Sequence, residues 1–120
     1  RAALAETEDR LILPVPAENS RPSWFGFLIT CREGIDRNQI VQMIEAKGVQ
    51  TRMLFAGNLT KHPCFDQMRA TGKGYRIAGT LENTDRIMKD TFWIGVYPGM
   101  TDEMLEAMAN AIKDAVNGVK

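Results

Sequence analysis

The sequence predicts a small domain of the α/β (α+β) class, a three-stranded sheet, mixed or mostly antiparallel, with helices across one face. Three observations carry that prediction. Stretches with the two-residue alternation of strands take turns with stretches of helical spacing, in the order strand, helix, strand, two short helices, strand, helix. Capping and stop residues mark most helix ends. The 120 residues, 44% hydrophobic and 25% charged, suffice for one core, which at this length buries roughly two-thirds of the unfolded surface.

Taken in order, residues 2 to 9 form a helix-like run, and Leu11-Ile12-Leu13 is a short apolar stretch closed by Pro14 and Pro16. The polar Glu18-Asn19-Ser20-Arg21-Pro22 reads as a connector. Residues 1–20 are therefore expected to be the remnant of an interdomain helix and linker, and residues 21–120 the domain itself. The opening on Arg1, inside a helix-like run with no cap ahead of it, points to a cut within an element.

From Ser23 to Cys31, Phe25, Phe27, Ile29 and Cys31 share one face while Trp24, Gly26 and Leu28 share the other, so both faces are apolar and the strand is central. Asp36 with Gln39 forms a capping box, Ile35 and Ile40 a hydrophobic staple, and the helix stops at Gly48. Its buried stripe is Ile40, Met43, Ile44 and Lys47. Val49 to Phe55 is the second strand. Pro63 opens a short helix through Arg69, and Asn83 or Thr84 caps another through Lys89. Thr91 to Tyr97 is the third strand, closed by Pro98-Gly99. Thr101 caps the last helix, whose Leu105, Met108, Ile112 and Ala115 have core spacing before Gly118.

Composition excludes several functions. Fifteen basic and fifteen acidic residues cancel, so no overall field draws the chain to nucleic acid or an anionic membrane. No segment approaches the ~20 apolar residues of a membrane span. Cys31 and Cys64 lack CxxC spacing and are too few for a disulfide framework or a thiolate cluster. A reducing, cytoplasmic location and no metal site follow as expectations.

Functional groups concentrate in residues 51 to 63, TRMLFAGNLTKHP, where a strand end, a glycine bend and a helix start come together. Such a bend brings backbone N–H groups, the Asn58 amide, the Lys61 ammonium and the His62 imidazole to one rim suited to hydroxyls and phosphates. The same residues also fit a plain turn at Gly57-Asn58, a cap at His62 and solvated Arg52 and Lys61. Arg86 is a forked donor at the head of a short helix, or else an ion pair with Asp85 or Asp90. Phe92, Trp93 and Tyr97 read as core before they read as a base-stacking platform. The lone histidine supports no hydrolase triad.

As whole strings, PSWFGF at 22 to 27, TRMLFAGNLTKHP at 51 to 63 and NTDRIMKDTFWIGVYPGMTDEML at 83 to 105 resemble the C-terminal part of the DegT/DnrJ/EryC1/StrS sugar aminotransferase family. Within it the likeness is to the 3-dehydratase branch of lipopolysaccharide and deoxysugar biosynthesis, with CDP-4-keto-6-deoxy-D-glucose as substrate. The resemblance implies the small domain of an aspartate-aminotransferase-type (fold type I) enzyme, whose large domain binds pyridoxal or pyridoxamine phosphate (PLP or PMP). The Schiff-base lysine or its histidine replacement, the acidic partner of the pyridine nitrogen and the cysteines of a [2Fe-2S] cluster lie upstream in that family. None falls in this chain, so no catalytic residue is assigned and the chain alone is expected to be inactive.

Carried over position by position, the family's substrate-facing loop falls on Arg52, Phe55, Gly57, Asn58, Lys61 and His62, and its short-helix arginine on Arg86. The rim around Asn58 and Arg86 would then be half of a pocket. Cys31, Cys64 and the tryptophans stay as packing residues. A nucleotide-sugar substrate, the missing large domain, a homodimer and, for a dehydratase, a reductase are the partners implied, with no nucleic acid and no membrane. The alternatives are the small domain of a PLP-dependent nucleotide-sugar aminotransferase, an autonomous α/β binding module, and an interaction domain that pairs through its own surface.

Overall fold

The segment that is apolar on both faces organises the sheet. In the computed structural model, which describes residues 1–119, β2 (Gly26–Cys31) lies between β1 (Leu11–Ile12) and β4 (Thr91–Gly95), and β3 (Thr51–Met53) completes the order β1-β2-β4-β3. Every pairing is antiparallel. The expected three strands are thus joined by a fourth. Leu11 pairs with Cys31 and Ile12 with Thr30, while Leu11 and Leu13 bury their side chains in the core that holds Ile29 and Phe92. The outer edge of β2 is satisfied by a stretch that its sequence presents as a linker. A 3-10 helix over Ala2–Thr7 precedes it and buries Leu4.

Helices α1 (Arg37–Ala46) and α4 (Asp102–Gly118) cover one face. Ile40 and Ile44 from α1 and Ile112, Ala115 and Val116 from α4 meet Ile29, Cys31, Phe92 and Ile94 there. Register decides which residues face them: Ile29 opposes Phe92 and Phe27 opposes Ile94, so Leu28 and Trp93, the pair between, leave by the other face. Leu28 and Trp93 are half-buried and line a cavity on that face, the open face of the sheet.

The helix ends follow from their caps. Asp36 accepts the Asn38 amide at 2.8 Å and receives the Gln39 side-chain amide at 3.2 Å, and Thr101 accepts from the Met104 amide at 3.3 Å. Two arginines close helix C-termini. Arg10 donates to the carbonyls of Val116 and Val119 at the end of α4, and Arg37 to those of Met88 and Thr91 after α3 (Glu82–Asp90). Helix α3 starts at Glu82, ahead of Asn83 and Thr84, with no side-chain cap. The segment expected as one helix from Pro63 divides into a 3-10 turn over Pro63–Phe65 and α2 (Asp66–Thr71). Leu105 is exposed and Lys47 pairs with Asp114, because the first turns of α4 run past the core and Lys47 is the C-cap of α1.

Gly26 is required by a close approach. A Cβ there would lie 2.3 Å from Cε3 of Trp93. Gly26→Ala is expected to push the indole off the sheet and lower the unfolding free energy by about 1–2 kcal/mol, measured by urea unfolding with tryptophan fluorescence. An unchanged midpoint and emission maximum would refute the close fit.

Candidate functional site

The chain leaves β3 through a bend built on two left-handed residues, Phe55 at φ 45° and Gly57 at φ 61°. The Phe55 amide bonds the Met53 carbonyl at 2.8 Å and the Gly57 amide the Leu54 carbonyl at 3.2 Å. Glycine is needed at 57 on two counts, its backbone angle and the 2.6 Å separation between an added Cβ and Cγ of Met88.

Asn58 follows and is the hub. Only 2% exposed, its Oδ1 accepts the Thr60 amide at 3.0 Å and the Thr60 hydroxyl at 2.7 Å, and its Nδ2 donates to Oδ1 of Asp85 at 2.7 Å. Lys61 reaches the same Asp85 oxygen at 2.9 Å. These donors, the Asn58 amide first and then Lys61, hold the Asp85 carboxyl below its ordinary value. The ring of His62 turns back to the Ala56 carbonyl, 2.6 Å from Nε2. Since a carbonyl only accepts, Nε2 is the protonated nitrogen.

Asp85 and Arg86 lie beside a cavity of about 700 Å³, walled by residues 32–36 after β2 and by Asp85, Arg86, Lys89 and Asp90 of α3. Three cations and four carboxylates line it. Asp85 is engaged by Asn58 and Lys61, and Asp36 is engaged in capping α1, its carboxyl held low chiefly by the Asn38 amide. Arg86 is exposed and makes no ion pair among the described residues. Its alternative as a partner of Asp85 or Asp90 is not realised, because Lys61 takes Asp85.

A second cavity, about 320 Å³, opens on the other face of the sheet between Trp24, Phe25, Leu28, Leu54, Phe55 and Trp93. No residue lines both cavities. The structure therefore brings Asn58 and Lys61 together beside Arg86, sets Phe55 apart in the apolar cavity, and leaves Arg52 on β3 opposite Trp93. Gly57 backs Met88, and His62 closes its own loop. The sequence presents Asp85 only as a counterion for Arg86 and Ile35 and Asp36 only as a staple and a cap, and it gives Arg32, Glu33 and Gly34 no role. A strand exit at Arg32-Glu33-Gly34, with Gly34 at φ 85°, is the signal that marks that wall. Cys31 is buried, which with Asp90 nearby pushes its thiol up to about 11. Cys64 and Trp24 are exposed, contrary to a packing role.

A pyridoxal phosphate site needs a lysine or histidine, an acid for the ring nitrogen and an aromatic neighbour in one place. The polar cavity has Lys89 and carboxylates but no aromatic ring, and the apolar one has rings but no ionisable group. Neither cavity gathers that set among its lining residues. Among the described residues no three His, Cys, Asp or Glu side chains are grouped to hold a metal ion, and no helix is long and apolar enough to cross a membrane.

The chain is 45% identical over 108 residues to dTDP-4-dehydro-2,6-dideoxy-D-glucose 3-dehydratase of Saccharopolyspora spinosa, an alignment that covers 88% of this chain and 22% of that protein. It is 42% identical over 116 residues to lipopolysaccharide biosynthesis protein RfbH of Salmonella typhimurium, covering 95% of this chain and 25% of the relative. The chain thus spans about a quarter of the length of these relatives. Among solved structures, E. coli GDP-4-keto-6-deoxy-D-mannose-3-dehydratase with bound hydrated PLP superimposes with a TM-score of 0.69 at 19% identity, over 92% of this chain and 28% of that one. The fold is therefore that of a segment of PLP-type sugar enzymes. Residues 1–113 match the family profile across all four strands and most of α4, and the chain belongs to the DegT/DnrJ/EryC1/StrS aminotransferase family.

Proposed function

We propose that this chain supplies one wall of the substrate cleft of a nucleotide-sugar 3-dehydratase acting on CDP-4-keto-6-deoxy-D-glucose in deoxysugar and O-antigen biosynthesis. Residues 1–20 are proposed to lead from the rest of the enzyme into the small domain of residues 21–120, whose sheet and core their Leu4, Leu11 and Leu13 complete. The observation that carries this reading is the placement of Arg86, without an ion-pair partner, at the 700 Å³ cavity beside an Asn58, Lys61 and Asp85 cluster that already satisfies its own charges. A guanidinium so placed is free to fork onto an oxygen pair of the substrate. Arg52 on β3, with Phe55, Gly57 and His62 in the loop that Asn58 and Lys61 hold against Asp85, are the other proposed contacts.

PMP or PLP, with a [2Fe-2S] cluster, belongs in this reading to the upstream part of the enzyme, which also supplies the base. The whole protein is proposed to be a cytoplasmic homodimer served by a reductase. This chain alone binds and orients. In the longer enzyme, Arg86→Ala is expected to lower kcat/KM about 10- to 100-fold, the loss of a charged hydrogen-bonding contact. Steady-state kinetics check it, and unchanged kcat and KM would remove Arg86 from the site.

A further inference from the structure

We infer, resting on the Arg86 reading, that Arg37 is a positioning residue: it ties the two walls of the polar cavity together and so sets where the Arg86 guanidinium lies. Its place is a poor one for its own helix. Arg37 opens α1 directly after the Asp36 cap, with no acidic side chain in that first turn, and a cation at a helix N-terminus opposes the dipole. The gain falls to a neighbouring helix. Nη2 donates to the Met88 carbonyl at 3.3 Å and Nη1 to the Thr91 carbonyl at 3.4 Å, at and just past the end of α3, where carbonyls lack helical partners and a cation suits the dipole. Nη1 also lies against Sδ of Met53 on β3. Nε is enclosed without a hydrogen-bond partner, a cost that a side chain extended into solvent from the same position would escape.

Helix α3 depends on such ties. It buries no residue and has no side-chain cap at its start. Asp85 bonds Asn58 and Lys61, and Sδ of Met88 receives the Asn58 amide at 3.3 Å. Both contacts run to the loop after β3. The tie to the cavity's other wall is Arg37, because residues 32–36, which form that wall, lead straight into it.

The forked contact fixes orientation as well as distance. A planar guanidinium that bonds two carbonyls cannot swivel, whereas a lysine ammonium acts as a point charge on a flexible stem. Arg86 lies two residues before Met88 on the same helix, so a shift of the pinned end displaces it against the wall at 32–36. A displacement of about 1 Å can cost up to about 100-fold in rate.

The test is made in the longer enzyme. Arg37→Met keeps the apolar stem and removes every donor; Arg37→Lys keeps the charge without the fork. Arg37→Met is expected to lower kcat/KM about tenfold, with the loss divided between kcat and KM as it is in Arg86→Ala, and Arg37→Lys should recover part of it. On the Arg86→Ala background Arg37→Met should cost less than about twofold, since the residue it positions is gone. Amide hydrogen exchange should be about tenfold faster over residues 86–91 in Arg37→Met and unchanged in α4. Unchanged exchange at 86–91, or equal acceleration in α4, would overturn the tie whatever the kinetics. The same loss of kcat/KM with and without Arg86 would overturn the action through that residue. Normal kinetics in Arg86→Ala would defeat the Arg86 reading, and exchange at 86–91 would still decide whether Arg37 holds α3. Normal kinetics in Arg37→Met beside a loss in Arg86→Ala would defeat the positioning role alone.

Discussion

Leu11→Ala is expected to lower the unfolding free energy by about 2–5 kcal/mol, although Leu11 sits in a two-residue strand within the stretch read from sequence as a linker. Its side chain is fully buried, and its partner Cys31 in β2 is fully buried as well. Truncation leaves a void bounded by the sheet and the flanking core, which close packing relaxes only in part. The nearby backbone is anchored too: the Arg32 amide bonds the Arg10 carbonyl at 2.9 Å, and the Arg10 side chain closes the C-terminus of α4. Val15→Ala, at a residue 69% exposed, is the control and should change stability by less than about 0.5 kcal/mol. Urea unfolding of both variants measures the contrast. Equal effects would mean that residues 1–20 are a detachable connector.

The same stretch shows where sequence reading stops. Asp36 and Thr101 are legible because a cap bonds an amide two or three residues away, so the information is local. A strand of two residues carries no period of its own; β1 exists because β2 presents an unpaired edge and the core accepts Leu11 and Leu13. Phe92, Trp93 and Tyr97 read together as core from sequence, yet only Phe92 is buried, because which face of β4 the helices cover depends on where α1 and α4 pack. Trp93, expected among the packing residues, accordingly sits on the open face. The fourth strand, the open face and the wall at residues 32–36 are tertiary facts, whereas the helices and the three longer strands are written in local pattern.

The candidate site divides along the same line. The bend at Gly57-Asn58 is readable from residue type, but Asp85, 27 positions from Asn58, is not. Asn58→Ala is therefore expected to cost about 2–3 kcal/mol, because it removes the acceptor of the Thr60 amide and hydroxyl at a position that is itself only 2% exposed. Part of the loss depends on pH. The Asp85 carboxyl lies below its usual 3.8 in the folded chain because Asn58 and Lys61 stabilise the anion, so its contribution is complete above the unfolded value and disappears as pH falls through the lower folded one. The stability gap between wild type and Asn58→Ala should accordingly be widest near neutrality and narrow on acidification below pH 3.8. Raising ionic strength should weaken the exposed Lys61 to Asp85 pair in both proteins without closing that gap. Unfolding curves at neutral and acid pH test the assignment, and a gap that stays constant with pH would show that Asn58 acts only through Thr60 and does not stabilise the Asp85 anion.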